Sequence, residues 1–148
     1  MTARREAIFS AFLGATLARG IPYWWRPRGF SMRPAIADGD RVLIAPARPE
    51  RLRVGDIVKF RIGDELRMHR LVRRSPPDGP GEFVFRGDSG DSEDTVRRND
   101  IIGLAVAVER NGRLRRLDST LARGLGWVRA WRSRPPHGQP ADQSPPHG

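Results

Sequence analysis

The chain has 148 residues, 38% of them hydrophobic and 30% charged, which suits one globular domain with a real core. It contains no cysteine, and this excludes disulfides, thiolate metal sites and a cysteine nucleophile. The formal charge of +10 is carried almost wholly by arginine, Lys59 being the sole lysine, so acidic partners, nucleic acid or anionic lipid are electrostatically welcome without any one being specified.

Residues 1–26 read as a first unit. Arg4 and Arg5 precede an apolar run from Ala7 to Ala18, interrupted only by Ser10, Gly14 and Thr16. A transmembrane helix needs about 20 apolar residues, so this run is expected to form a helix that does not span a bilayer. Glu6 breaks the basic start, and Thr16-Leu17-Ala18 is a poor small-x-small cleavage site, which favours an uncleaved helix over a leader. Tyr23-Trp24-Trp25-Arg26 follows, an aromatic cluster that suits either a membrane–water interface or packing against the domain.

The hexapeptide Gly29-Phe30-Ser31-Met32-Arg33-Pro34 reads as a nucleophile loop. A serine hydroxyl is unreactive at neutral pH, so it needs a base within reach and backbone N–H groups to hold the oxyanion it creates. Glycine opens backbone angles closed to other residues, and Pro34 biases Arg33 away from helix. An ordinary Gly/Ser/Pro turn has the same composition.

From Asp38 onward the pattern is that of short strands. Residues 41–45, 56–62, 66–73, 82–85 and 101–108 are strand-length runs rich in Val, Ile, Leu or Phe. Gly63-Asp64 reads as a two-residue hairpin turn, and Asn111-Gly112 is the strongest hairpin signal in the chain. Residues 75–81 read as an exposed loop. The expected fold is therefore a mainly β domain over residues 27–118 with short terminal helices. In residues 119–132, Leu121, Leu125 and Val128 recur at helical spacing beside Trp127 and Trp131, predicting an amphipathic helix. Residues 133–148 repeat Pro-Pro-His-Gly and are too polar to bury a core, which predicts a disordered tail.

Two of the three histidines, His137 and His147, lie in that tail, which leaves His69 as the general base of neutral-range pKa. Lys59 competes for the role, since a desolvated lysine also activates serine. If Gly63-Asp64 closes the hairpin, His69 faces Val58 and Lys59 faces Met68, so the two point to opposite sides of the sheet. A base needs an orienting carboxylate, and Asp88, Asp91 and Asp94 in the run Arg86-Gly-Asp-Ser-Gly-Asp-Ser-Glu-Asp94 are the candidates. The same run lacks the glycine and terminal glutamate spacing of a calcium loop, so neither metal nor cofactor is expected.

These residues together carry a resemblance. Gly-Phe-Ser31-Met-Arg-Pro, Gly55-Asp-Ile-Val, His69-Arg-Leu-Val, Arg86-Gly-Asp88 and Ile102-Gly-Leu-Ala-Val resemble type I signal peptidases in order and spacing over roughly residues 27–110. Histidine stands where the bacterial leader peptidases keep a lysine, so the likeness is to the Ser-His variety. It implies Ser31 as nucleophile, His69 as base, and Asp88 and Asp94 as the acidic positions of the Gly-Asp box. Gly29 replaces a serine that completes the oxyanion hole in many bacterial members, leaving the backbone N–H of Ser31 or Met32 for that task. The Gly-x-Ser-Met form instead resembles the self-cleaving LexA-type repressors of the same superfamily. With thirty residues before Ser31, self-cleavage tied to a DNA-binding domain on that side is not the expected arrangement.

The function expected is that of a serine endopeptidase acting on a peptide or precursor protein. The alternative is a catalytically silent basic module that binds anionic lipid or nucleic acid through its arginines. No helix-turn-helix or aromatic-interleaved RNA motif is present, so nucleic acid is the less expected partner. The apolar run, the tryptophans and the arginines suit a cytoplasmic or peripherally membrane-associated protein in contact with an anionic surface.

Overall fold

The computed structural model describes residues 19–76 and 78–117. The helices expected over residues 7–18 and 119–132, and the tail 133–148, lie outside the described residues. Among the described residues eight strands form one antiparallel sheet: β1 Tyr23–Trp25, β2 Arg41–Pro46, β3 Ile57–Ile62, β4 Glu65–Arg74, β5 Glu82–Arg86, β6 Glu93–Arg97, β7 Ile101–Arg110 and β8 Arg113–Arg116. Their order is β1-β2-β7-β3-β4-β5-β6, with β8 pairing β7. The fold is mainly β, as the strand-length runs predict.

Both hairpin signals hold in register. Ile62 pairs with Glu65 across Gly63-Asp64, which sets Val58 opposite His69 and Lys59 opposite Met68. Arg110 pairs with Arg113 across Asn111-Gly112, with Asn111 at φ 51 and Gly112 at φ 73, the positive angles that such a tight turn requires. Two strands escape the sequence reading. Tyr23–Trp25 pairs with β2 along Tyr23↔Ile44 and Trp25↔Val42, so the aromatic segment placed with the first unit, residues 1–26, joins the sheet. Residues 93–97 pair with β5, although Glu93-Asp-Thr-Val-Arg97 shows no apolar run. Its Asp94 and Val96 are the inward positions, and a carboxylate at one of them hides the alternation.

β3 lies between β7 and β4 and is buried on both faces over Ile57–Phe60, which explains why its residues there are apolar except for Lys59. On one side, Ile57 and Met68 join Val42, Ile44, Ala105 and Val108, and the Ser31 loop contributes Met32, Ala35 and Ile36. On the other side, Val58, Phe60, Leu71, Phe83, Phe85, Leu52 and Val96 form a second cluster, within which the Phe60 and Phe85 rings stack with centroids 4.5 Å apart. His69 stands on this second side, beside the Phe60 ring.

Candidate active site

The Ser31 loop is a tight turn closed by two backbone bonds, from Arg33 N–H to the Phe30 carbonyl at 3.2 Å and from Ile36 N–H to the Met32 carbonyl at 2.9 Å. Gly29 enters it at φ +97, a conformation that side chains disfavour. Burial of Met32, Ala35 and Ile36 in the first cluster anchors the turn, while Ser31 is exposed. The turn between β5 and β6 grips the same segment from above. Ser89 donates its N–H to the Ser31 carbonyl at 2.9 Å and its hydroxyl to the Phe30 carbonyl at 2.6 Å. Gly87 is pressed so close that a Cβ there would stand 2.8 Å from the Ser31 carbonyl oxygen and 3.3 Å from His69 Nε2.

This packing sets His69 Nε2 3.2 Å from Ser31 Oγ. On the other edge of the ring, Nδ1 lies 3.3 Å from Asp94 Oδ2. With the ring proton on Nδ1, the tautomer that a facing carboxylate favours, Nε2 is free to accept from the serine hydroxyl. Burial pushes the His69 pKa below the usual imidazole value and outweighs the opposing pull of Asp94, while the Arg67 cation lowers it further and Asp88 opposes. The imidazole is consequently neutral at pH 7 and able to take a proton.

The three candidate aspartates separate. Asp94, buried beside His69, also accepts from Arg67 at 2.8 Å, and Arg67 is held in turn by Glu65 at 2.6 Å. Asp88 pairs instead with Arg70 through two bonds of 2.7 Å; Arg70, buried on the opposite face of β4 from His69, also donates to the Gly55 carbonyl at 2.7 Å. Asp88 thus fixes the turn that carries Gly87 and Ser89. Asp91 is exposed and pairs with Arg86, away from the base. Among the described residues no group of three His, Asp or Glu side chains converges as a metal site requires.

Lys59 is 1% exposed and points to the face opposite His69. Its ammonium donates to the Tyr23 hydroxyl at 3.0 Å and lies 4.1 Å from the centre of the Trp25 ring. Burial brings its pKa down to about 8 and pushes that of Tyr23 up to about 12. The aromatic cluster therefore divides: Tyr23 and Trp25 surround the lysine, and Trp24, 41% exposed, carries Arg41 over its outer ring at 4.8 Å. No helix among the described residues is long and apolar enough to cross a membrane.

Arg67, Gly87 and Ser89 were not singled out in the sequence. The signal for Arg67 was present, because it is two residues from His69 on one strand and so shares its face. Gly87 and Ser89 show their role only through a contact with a loop more than fifty positions away.

Residues 13–80, which include both Ser31 and His69, match the family model described as Peptidase S24-like. A LexA repressor of Acidovorax sp. (strain JS42) is 35% identical over 104 residues, covering 66% of this chain and 43% of the relative. One from Cellvibrio japonicus (strain Ueda107) is 35% identical over 96 residues, covering 60% and 44%. The likeness is to the S24-like, LexA-type superfamily. The chain spans less than half the length of the curated relatives it matches.

Proposed function

We propose that the chain is a serine endopeptidase that cleaves a peptide or precursor protein after small residues, in the manner of the signal peptidases its motifs resemble. The observation that carries this reading is the line Ser31 Oγ, His69, Asp94, with contacts of 3.2 and 3.3 Å. His69 Nε2 takes the hydroxyl proton as Ser31 Oγ attacks the scissile carbonyl. The backbone N–H of Ser31 or Met32 holds the resulting oxyanion, and Asp94 stabilises the imidazolium. His69 then gives its proton to the leaving amine, and an acyl-enzyme on Ser31 remains for water to hydrolyse.

General base catalysis contributes about 10²–10⁴-fold and an oxyanion donor about 10²–10³-fold, so Ser31→Ala is expected to leave almost no turnover. The test compares cleavage of a peptide with small residues before the scissile bond between the natural chain and Ser31→Ala. Equal rates overturn the reading in favour of a silent basic module.

The likeness to LexA repressors favours a second reading, in which the bond cleaved belongs to the protein's own polypeptide. Self-cleavage within one molecule proceeds at a rate independent of protein concentration, whereas cleavage of a separate substrate rises with enzyme concentration. A dilution series of purified protein separates the two.

A further inference from the structure

We propose that the β7–β8 hairpin forms a binding site for a phosphoryl anion, made by Arg110, Arg113 and Arg115 behind the nucleophile turn. A cavity of about 560 Å³ is lined there by Val108, Arg110, Asn111, Arg113 and Arg115. The strand register explains why. Arg110 is directly opposite Arg113, and Val108 is opposite Arg115. Paired residues and their neighbours two positions away share a face of the ladder, so all three guanidinium groups leave the hairpin on one side.

Like charges directly opposed across a ladder are destabilising, and among the described residues a single carboxylate, Asp40, answers the three arginines. Asp40, 3% exposed, accepts from Arg110 Nε at 3.0 Å and Nη2 at 2.8 Å, and its second task is to accept the Ala37 N–H at 2.8 Å. Arg115 has a backbone oxygen as its hydrogen-bond partner, the Ala35 carbonyl at 2.5 Å, and shares with Arg110 the charge of the same Asp40. Arg113 makes no ion pair or hydrogen bond among the described residues.

Among the described residues, three arginines against one carboxylate thus leave two net positive charges at one open cavity. A guanidinium presents a rigid fork of donors that matches the oxygens of a phosphoryl group, and one dianion neutralises both charges where a carboxylate neutralises one. The ligand class is thus a phosphate ester or pyrophosphate, either free or as the headgroup of an anionic lipid. The site lies on the far side of the turn from His69: Arg110 also donates to the Pro34 carbonyl at 3.3 Å, so the ligand braces the segment that follows Ser31. Binding does not depend on Ser31 being a nucleophile.

The test is a titration of the full chain with inorganic pyrophosphate at low ionic strength, followed through the amide resonances of Asn111 and Gly112. Saturable shifts are expected. Arg113→Ala should weaken binding about tenfold or more, the scale of one lost charge-assisted hydrogen bond. Arg98→Ala, at an exposed arginine paired with Glu50 elsewhere on the surface, should leave affinity unchanged. Without ligand, Arg113→Ala should melt no lower than the natural chain, and a given concentration of pyrophosphate should raise the melting temperature of the natural chain more than that of Arg113→Ala. Saturation by glycerol phosphate without capture by phosphatidylglycerol vesicles assigns the site to free phosphate esters. Capture by those vesicles, competed by pyrophosphate, assigns it to the headgroup. Shifts that fail to saturate, or equal weakening by Arg98→Ala and Arg113→Ala, overturn the proposal.

Discussion

His69 Nδ1 stands 3.3 Å from Asp94 Oδ2, with both side chains mostly shut off from solvent, yet the ring nitrogen is not aligned with the carboxylate as a hydrogen bond requires. Arg67 holds the other Asp94 oxygen at 2.8 Å. The carboxylate is thus aimed by the arginine as much as by the histidine. In the proposed mechanism this contact tightens when substrate binds, as hydrogen bonds in active sites often do.

The pH dependence follows from that arrangement. Only neutral His69 accepts the Ser31 proton, so kcat/KM should rise with pH through the His69 pKa of the free enzyme. Burial lowers that pKa, which places the rising limb on the acid side of the reference value of about 6.5. Arg67→Gln removes a nearby cation and releases Asp94 toward the ring, and both changes favour the imidazolium. The limb should move to higher pH. A uniform fall in kcat/KM with an unmoved limb would mean that Arg67 is only a structural strut.

Asp94 and Asp88 should differ in what their loss costs. Asp94→Asn keeps the shape of the side chain but gives up the charge that stabilises the imidazolium, and kcat/KM should fall by up to about 10⁴-fold with little change in melting temperature. Asp88→Ala strands Arg70, which is 3% exposed, as an unpaired buried charge, at a cost of about 3–5 kcal/mol. Thermal melts beside turnover measurements distinguish these outcomes; matching profiles for both variants would refute the division.

Gly87→Ala should damage activity through geometry alone. The added carbon would press on the Ser31 carbonyl oxygen at 2.8 Å and the Ser31 Cβ at 3.0 Å, so the serine turn or the Gly87 turn must shift. A displacement of about 1 Å at a reacting group costs about 10²-fold in rate. The check is kcat/KM, with Gly90→Ala as the control, since a Cβ at Gly90 meets nothing within 4 Å.

Lys59→Met should leave peptide cleavage intact, because the ammonium lies on the face opposite His69. Its effect belongs to stability. The lysine titrates near 8 when folded against a reference of 10.5, so between those values the unfolded chain binds more protons and stability rises with pH. One such group contributes a slope of about 1.4 kcal/mol per pH unit in that window. Below pH 8 the buried cation persists and this stabilisation is absent. Above pH 10 Tyr23, kept protonated by burial, opposes any further gain. Denaturation curves from pH 7 to 10 should show the rise in the natural chain and lose it in Lys59→Met; a Lys59→Met protein with the same slope would refute the assignment.

The sequence by itself determined the mainly β fold, both tight hairpins and, through the register across Gly63-Asp64, the face on which each rival base stands. Those are local matters: side chains alternate with a period of two, and an Asn-Gly or Gly-Asp turn fixes which residues pair. It narrowed the orienting carboxylate to three aspartates and went no further. Only the tertiary structure gave Asp94 to His69 and Asp88 to Arg70, because that choice depends on the pairing of β5 with β6, and the inward Asp94 conceals β6 from any apolar pattern. The aromatic segment was open in the same way. Tyr23 and Trp25 turn inward because the ammonium of Lys59, thirty-six positions along the chain, needs a hydroxyl and a ring face once it is buried. Gly87 and the opposed arginines of the β7–β8 hairpin complete the list. Their roles come from what stands across a gap of a few ångströms, a relation that composition and spacing do not carry.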